Sequence, residues 1–221
     1  MRTIIGAAFI SLDGVMQAPG GPTEDPTGGF ELGGWLPNHG DELIGEAINE
    51  LFNRQFDLLL GRRTYEIFAA FWPYVEGEDK PMGELFDRVH KYVVTHGDQP
   101  LSWQNSHRLA GVEAIARLRS SDGPDLIIQG SSTLYPQLLA AALLDRLILM
   151  TIPIVLGSGK RLFGEGTPSG AMRVIDNKLS PRGTMVATYE ADGPVRPGTF
   201  LAPEPSAAEL SRRKAMAEGV W

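Results

Sequence analysis

Hydrophobic positions along the chain switch repeatedly between short continuous runs and stripes at helical spacing, the alternation expected of an α/β sandwich. The run "TIIGAAFISLDG" (3–14) predicts a buried first strand ending at Asp13-Gly14. "DELIGEAINELFNR" (41–54) puts Leu43, Ile44, Ala47, Ile48, Leu51 and Phe52 on one stripe, with Asp41 and Glu42 where the helix dipole favours acids, and predicts a helix. "FDLLLG" (56–61) reads as a second strand, "RRTYEIFAAFW" (62–72) as a short helix stopped by Pro73, and "HKYVVTH" (90–96) as a third strand. The polar stretch "DQPLSWQNSHRL" allows one short strand near Trp103. A helix is predicted over 111–121, a central parallel strand over 125–130, a helix over 131–144 and a long strand over 145–159. "AMRVIDNKLSPRGTMVATYEA" (171–191) splits at Ser180-Pro181-Arg182-Gly183 into the two strands of a terminal hairpin.

Two stretches break this rhythm. "MQAPGGPTEDPTGGFELGGWLPNHG" (16–40) is too rich in Gly and Pro for a regular element, and a loop of that length inside a compact domain is usually functional or disordered. Its Phe30 and Trp35 predict a loop that folds over something. From Asp192 the chain is Pro-rich, and 207–221 has weak helical character. The expected organisation is one domain over 1–191 and an extension over 192–221, either disordered or packed on a partner subunit.

Composition narrows the function classes. The 221 residues, 43% of them hydrophobic, can bury one substantial core. A formal charge of −7 argues against non-specific binding to nucleic acid or anionic membranes, which need a positive contact surface. Cysteine is absent, so disulfides, thiolate metal sites and cysteine nucleophiles are excluded; the four histidines show no pair at metal spacing, and no metal is expected. No apolar run approaches the ~20 residues that span a bilayer. A cytoplasmic protein acting on a small molecule is the expectation.

Two glycine-ended strands followed by helix starts carry the candidate chemistry: Gly61-Arg62-Arg63-Thr64 and Gly130-Ser131-Ser132-Thr133. A helix start exposes unpaired N–H groups with a partial positive charge, and both favour phosphate. At the first, glycine permits close approach, Thr64 adds a hydroxyl, and a guanidinium can meet a phosphate bidentately. The arginines could instead merely solvate the helix start, although adjacent cations oppose its dipole. At the second, Ser131 or Ser132 could simply cap the helix. Two anion sites on neighbouring strand ends suit a dinucleotide with an extra ribose phosphate, such as NADPH. "GSGKR" (157–161) is not a triphosphate clamp, because Ile154 and Arg161 stand where that loop needs glycine and Ser or Thr. No G-x-G-x-x-G follows the first strand either.

Four segments, "FISLDG" (9–14), "LLLGRRTYE" (58–66), "LIIQGSSTLY" (126–135) and "LDRLILMTIPIVLGSGKRLF" (144–163), together resemble the dihydrofolate reductase-like superfamily. The likeness is to the branch similar to the C-terminal reductase domain of bifunctional riboflavin biosynthesis proteins, and covers roughly 2–191. It implies a three-layer sandwich whose central sheet is mostly parallel with an antiparallel C-terminal hairpin, and NADPH lying across the strand ends. Gly61, Arg62, Arg63 and Thr64 would hold the pyrophosphate and the 2′-phosphate side, with Thr95 and His96 near the adenosine. Gly130, Ser131, Ser132, Thr133 and Leu134 would cradle the remaining phosphate, and the nicotinamide would sit by Ala8 and Ile10. Asp41 or Glu42 stands nearest to the carboxylate that helps protonate a pterin, although capping of the helix dipole is the first reading of both. Asp13 could orient substrate or simply make an Asp-Gly turn.

The implied activity is NADPH-dependent reduction of a heterocyclic substrate. The phosphoribosylamino-pyrimidine of riboflavin synthesis comes first, then dihydrofolate or another pterin; a non-catalytic NADPH-binding regulator is the alternative. Catalysis is assigned to Asp41, Asp13 or water. Homodimerisation through the C-terminal strands and tail is expected, because "LILMTIPIVL" is apolar enough to be covered on both faces.

Overall fold

A computed structural model describes residues 1–200 and 204–220. Positions 201–203 and Trp221, part of the predicted tail, lie outside the described residues. Eight strands form one sheet: β1 (Ile4–Ser11), β2 (Phe56–Gly61), β3 (Lys91–Val94), β4 (Ser106–Leu109), β5 (Asp125–Gln129), β6 (Arg146–Ile152), β7 (Met172–Leu179) and β8 (Met185–Ala191). Their order is β4-β3-β2-β5-β1-β6-β8-β7. The first six are parallel, and β8 and β7 add antiparallel at one edge, as the hairpin pattern predicts.

Helices flank the sheet: α1 (Leu36–His39), α2 (Glu42–Phe52), α3 (Arg62–Phe71), α4 (Lys80–Arg88), α5 (Val112–Ser120) and α6 (Leu134–Ala140), with a separate tail helix α7 (Ala207–Ala217). Alternate residues of β1 feed two cores. Ile4, Ala8 and Ile10 join Leu126 and Ile128 of β5 under Ile115 of α5 and Leu134, Tyr135 and Leu138 of α6. Ile5 and Ala7 join Leu58 and Leu60 of β2 under Leu51, Phe52, Tyr65 and Phe86 from α2, α3 and α4. That is the three-layer sandwich.

No element is predicted from the sequence over 75–89, yet the segment contains α4. The helix buries Gly83 and Phe86, and Phe86 packs at 4.9 to 5.0 Å between the rings of Trp72 and Phe52. Met82, Leu85 and Val89 pack on the same core beside it, a short stripe at helical spacing interrupted by Pro81 and Gly83. At the other end of the core Gly6 is needed for packing: a Cβ there would stand 2.5 Å from the Tyr135 ring. Tyr135, fully buried, donates its hydroxyl to the Ala7 carbonyl at 3.1 Å and so pins α6 to β1.

The apolar strand β6 is covered on both faces by the chain's own layers, Leu147 and Leu149 in one core and Met150 in the other. By contrast β7 is an edge strand with seven of its eight residues exposed, and α7 buries none of its residues. No helix among the described residues is long and apolar enough to cross a membrane.

Candidate functional site

A cavity of about 800 Å³ opens at the C-terminal ends of β1, β2 and β5, where parallel sheets commonly bind ligands. Gly61, Arg62, Arg63 and Thr64 line one side, and Gly130, Ser131, Ser132 and Thr133 lie beside them. The two turns are hydrogen-bonded to each other. The Gly61 N–H donates to Ser131 Oγ at 2.9 Å, and the Ser131 N–H donates to Thr64 Oγ1 at 3.1 Å. Ser131 therefore does not cap α6; its hydroxyl belongs to the neighbouring strand end. Gly130 and Ser131 are both left-handed, with φ of 79° and 59°, a conformation that costs a serine about 1 kcal/mol and is held by those two bonds.

The arginines differ. Arg62 is committed: its guanidinium donates to Glu66 Oε1 at 2.8 Å and to the carbonyls of Gln99 and Pro100 at 3.0 and 3.3 Å. Those bonds lay it over the loop after β3, near Thr95 and His96. Arg63 is 58% exposed at its side chain and reaches only Asp25, at 3.9 Å. Thr95 is buried and accepts from the Gly97 N–H at 3.3 Å, while His96 is exposed.

The opposite wall is the long loop, which does fold inward. Phe30 and Trp35 are buried with Val15, Ala18 and Ile152. Gln17 is its hub: the side-chain amide donates to the carbonyls of Asp25 and Thr27 and accepts from the Lys160 N–H, while its own carbonyl accepts from the Trp35 indole. Lys160 Nζ then reaches Asp25 Oδ2 at 2.5 Å and Thr27 Oγ1 at 2.7 Å. Burial pushes the Asp25 carboxyl up, but the hydrogen bonds from Lys160 and Thr27 and the lysine charge leave it below its usual value. Glu24 behaves oppositely. Its Oε2 accepts from the N–H groups of Gly20 and Gly21, yet burial pushes its carboxyl above the usual range. Lys160, Asp25, Glu24, Gln17 and Gln129 carry no local sequence signal, because their relation to the turns is made only by folding.

Other sequence-derived candidates stand outside this lining. Phe9, rather than Ala8 or Ile10, is the β1 side chain that lines the cavity, and Leu134 sits in the core behind the second turn. Asp41 caps α2, accepting from the Leu43 N–H at 3.2 Å and from the Ser180 hydroxyl. That hydroxyl, before all else, holds the Asp41 carboxyl below its usual value. Asp13 accepts from the Ser11 hydroxyl at 2.7 Å, from the Leu156 and Gly157 N–H groups at 3.0 and 2.9 Å, and from Arg161 at 3.3 Å. Those bonds, the Ser11 hydroxyl foremost, keep it far below the carboxylate range. Both aspartates are ionised at neutral pH.

A dinucleotide fits the residues present. The two turns form one continuous polar strip, and beside them the buried Oε1 of Gln129, which also lines the cavity, has no hydrogen-bond partner among the described residues. An acceptor left so in a cavity wall is suited to a ligand donor.

This sheet order, with the site at its parallel strand ends, is the dihydrofolate reductase-like fold. A dihydrofolate reductase from Enterococcus faecalis, solved with NADP(H), shares it at a TM-score of 0.52 and 18% identity over 86% of this chain and 96% of that one. A candidate riboflavin biosynthesis protein from a Shewanella species does so at a TM-score of 0.58 and 18% identity over 86% and 99%. The model of the RibD C-terminal domain matches residues 2–187, and the chain belongs to that family. It is also 30% identical to the uncharacterized Bacillus subtilis protein YwjB, over 80% of this chain and 91% of the relative.

Proposed function

We propose that the protein is an NADPH-dependent reductase of a pyrimidine- or pterin-type heterocycle. The observation that carries this reading is the pair of bonds joining Gly61 to Ser131 and Ser131 to Thr64, which make two phosphate-sized turns into one strip beside a cavity. The N–H groups at the start of α3, with Thr64, Ser132 and Thr133, would hold the pyrophosphate. Arg62, over the loop carrying Thr95 and His96, would read the 2′-phosphate, and Arg63 would neutralise the pyrophosphate. When bound, the cofactor supplies a hydride. The chain's own part is alignment in a cleft from which the long loop excludes water. Protons come from solvent or a cavity group, while Asp41 and Asp13, both ionised, hold α2 and the turn after β1. A second copy would cover the exposed edge β7, and the expected setting is the cytoplasm.

Titration with NADPH and NADH, followed by tryptophan fluorescence at Trp72 in the cavity wall, tests the reading. Arg62→Ala is expected to weaken NADPH by about 1.5 to 3 kcal/mol, the range of a charged hydrogen bond, and NADH far less. Arg63→Ala is expected to weaken both alike. Binding of neither nucleotide overturns the proposal. Tight NADPH binding with no oxidation by any pyrimidine, pterin or quinone would point instead to a nucleotide-binding regulator.

A further inference from the structure

Charge is distributed unevenly in the cavity. Its lining cations are Arg62, Arg63 and Lys160, and its lining carboxyls are Glu24, Asp25 and Glu66. Lys160 is already neutralised by Asp25 and hydrogen-bonded to Thr27, with its side chain 31% exposed. If the two arginines serve the dinucleotide, as the proposed function has it, no uncommitted cation is left among the described lining residues. The wall also includes Phe9, Leu36, Phe68, Phe71 and Trp72, with the rings of Phe68 and Phe71 packed edge-on against Trp72 at 6.1 and 5.1 Å. Glu24 lines the same cavity, its Oε2 accepting from the Gly20 and Gly21 N–H groups and, among the described residues, in no ion pair.

We infer that this aromatic part of the cavity is a subsite for a flat ring compound that carries no phosphate, with Glu24 as the group that turns a second anion away. An anion moved there would lose water without gaining a cation, and burying an unpaired charge is costly. The elevated carboxyl of Glu24 reports the same property, since burial already disfavours one negative charge at that place. An aromatic wall with few polar groups is the ordinary make-up of a site for a neutral ring. The inference rests on the proposed function and divides its substrates: a phosphoribosyl pyrimidine is rejected, and a phosphate-free pterin or related ring is admitted.

The test uses the full-length protein and two fluorescent probes that differ only in a phosphate, 1-naphthol and 1-naphthyl phosphate. NADPH is titrated first; no binding overturns the functional reading and the subsite with it. With NADP⁺ saturating, 1-naphthol is expected to bind at least about tenfold more tightly than 1-naphthyl phosphate, an unpaired buried dianion costing at least that much. Equal or tighter binding of the phosphate, or no binding of 1-naphthol at millimolar concentration, overturns the subsite while leaving the cofactor reading intact. Glu24→Lys, first shown to bind NADPH, is expected to tighten 1-naphthyl phosphate by about tenfold by supplying the missing cation. Glu24→Gln, which keeps the acceptor for Gly20 and Gly21, is expected to gain less. No gain with lysine removes Glu24 from the selection.

Discussion

The two ends of the parallel sheet use the same residue types to opposite purposes. At the N-terminal end three arginines are paired with aspartates: Arg2 with Asp57, both buried, Arg119 with Asp145 at 2.5 Å, and, more loosely, Arg54 with Asp125 at 3.8 Å. Asp57 also accepts from the His90 N–H, Asp145 from the Ile4 N–H, and Arg2 donates to the Pro124 carbonyl. These groups tie strand beginnings together. At the C-terminal end Arg62 is tied to Glu66 and two carbonyls but lines the cavity, Arg63 is open with a long contact to Asp25, and the polar turns face the same cavity. A charge answered inside the protein and shut away from any cavity is structural. A charge held in place but left unanswered is available to a ligand.

The largest expected effect lies at the closed end. Arg2→Ala leaves Asp57 buried without its cation, and breaking such a pair costs about 3 to 5 kcal/mol. Denaturant unfolding should show that loss, while NADPH affinity of the folded fraction stays as in the parent; an equal loss of affinity would erase the distinction between the ends.

Next comes Lys91, also at the closed end. It is buried, donates to the carbonyls of Phe86 and Asp87 at 2.7 and 3.1 Å and lies 4.3 Å from the centre of the Trp103 ring. Burial brings its amine down to about 8 from 10.5. Between those values the unfolded chain keeps the proton that the folded chain has released, so raising the pH favours folding. Stability should therefore rise by about 2 kcal/mol from pH 8 to 10 on account of this group. Lys91→Met should remove that rise; an unchanged pH profile in the variant would show that the amine stays charged.

The smallest effect belongs to the open end. Ser131→Ala deprives the buried Gly61 N–H of its acceptor and should cost about 1 to 2 kcal/mol of stability. Unlike Arg2→Ala, it should also weaken NADPH, because the two turns lose their bond. A stability loss without any change in nucleotide affinity would place Ser131 with the structural groups.

Most elements were legible because each leaves a period in the sequence. Buried β2 and β5 are continuous apolar runs, and α2 shows its stripe. The helix α4 was not, since its short stripe of Met82, Leu85, Phe86 and Val89 is interrupted by Pro81 and Gly83, residues that argue against a helix. The two glycine turns were legible as separate anion sites, but the bond between them joins residues 70 apart. The cavity's other wall was hidden more completely, as Lys160 meets Asp25 across 135 residues. Two histidines without metal spacing, His90 and His107, are likewise brought to 2.9 Å, while no group of three or more metal-ligating side chains occurs among the described residues.

The sequence by itself determined the layered α/β architecture, the antiparallel hairpin and the two polar turns, because periodicity, glycine and cap chemistry act over a few residues. Only the tertiary structure decided which arginine is committed, that Ser131 serves β2 rather than its own helix, and that Glu24 has no cation partner among the described residues. Those outcomes depend on through-space partners and on burial, which are set when distant strand ends and the long loop close around one cavity.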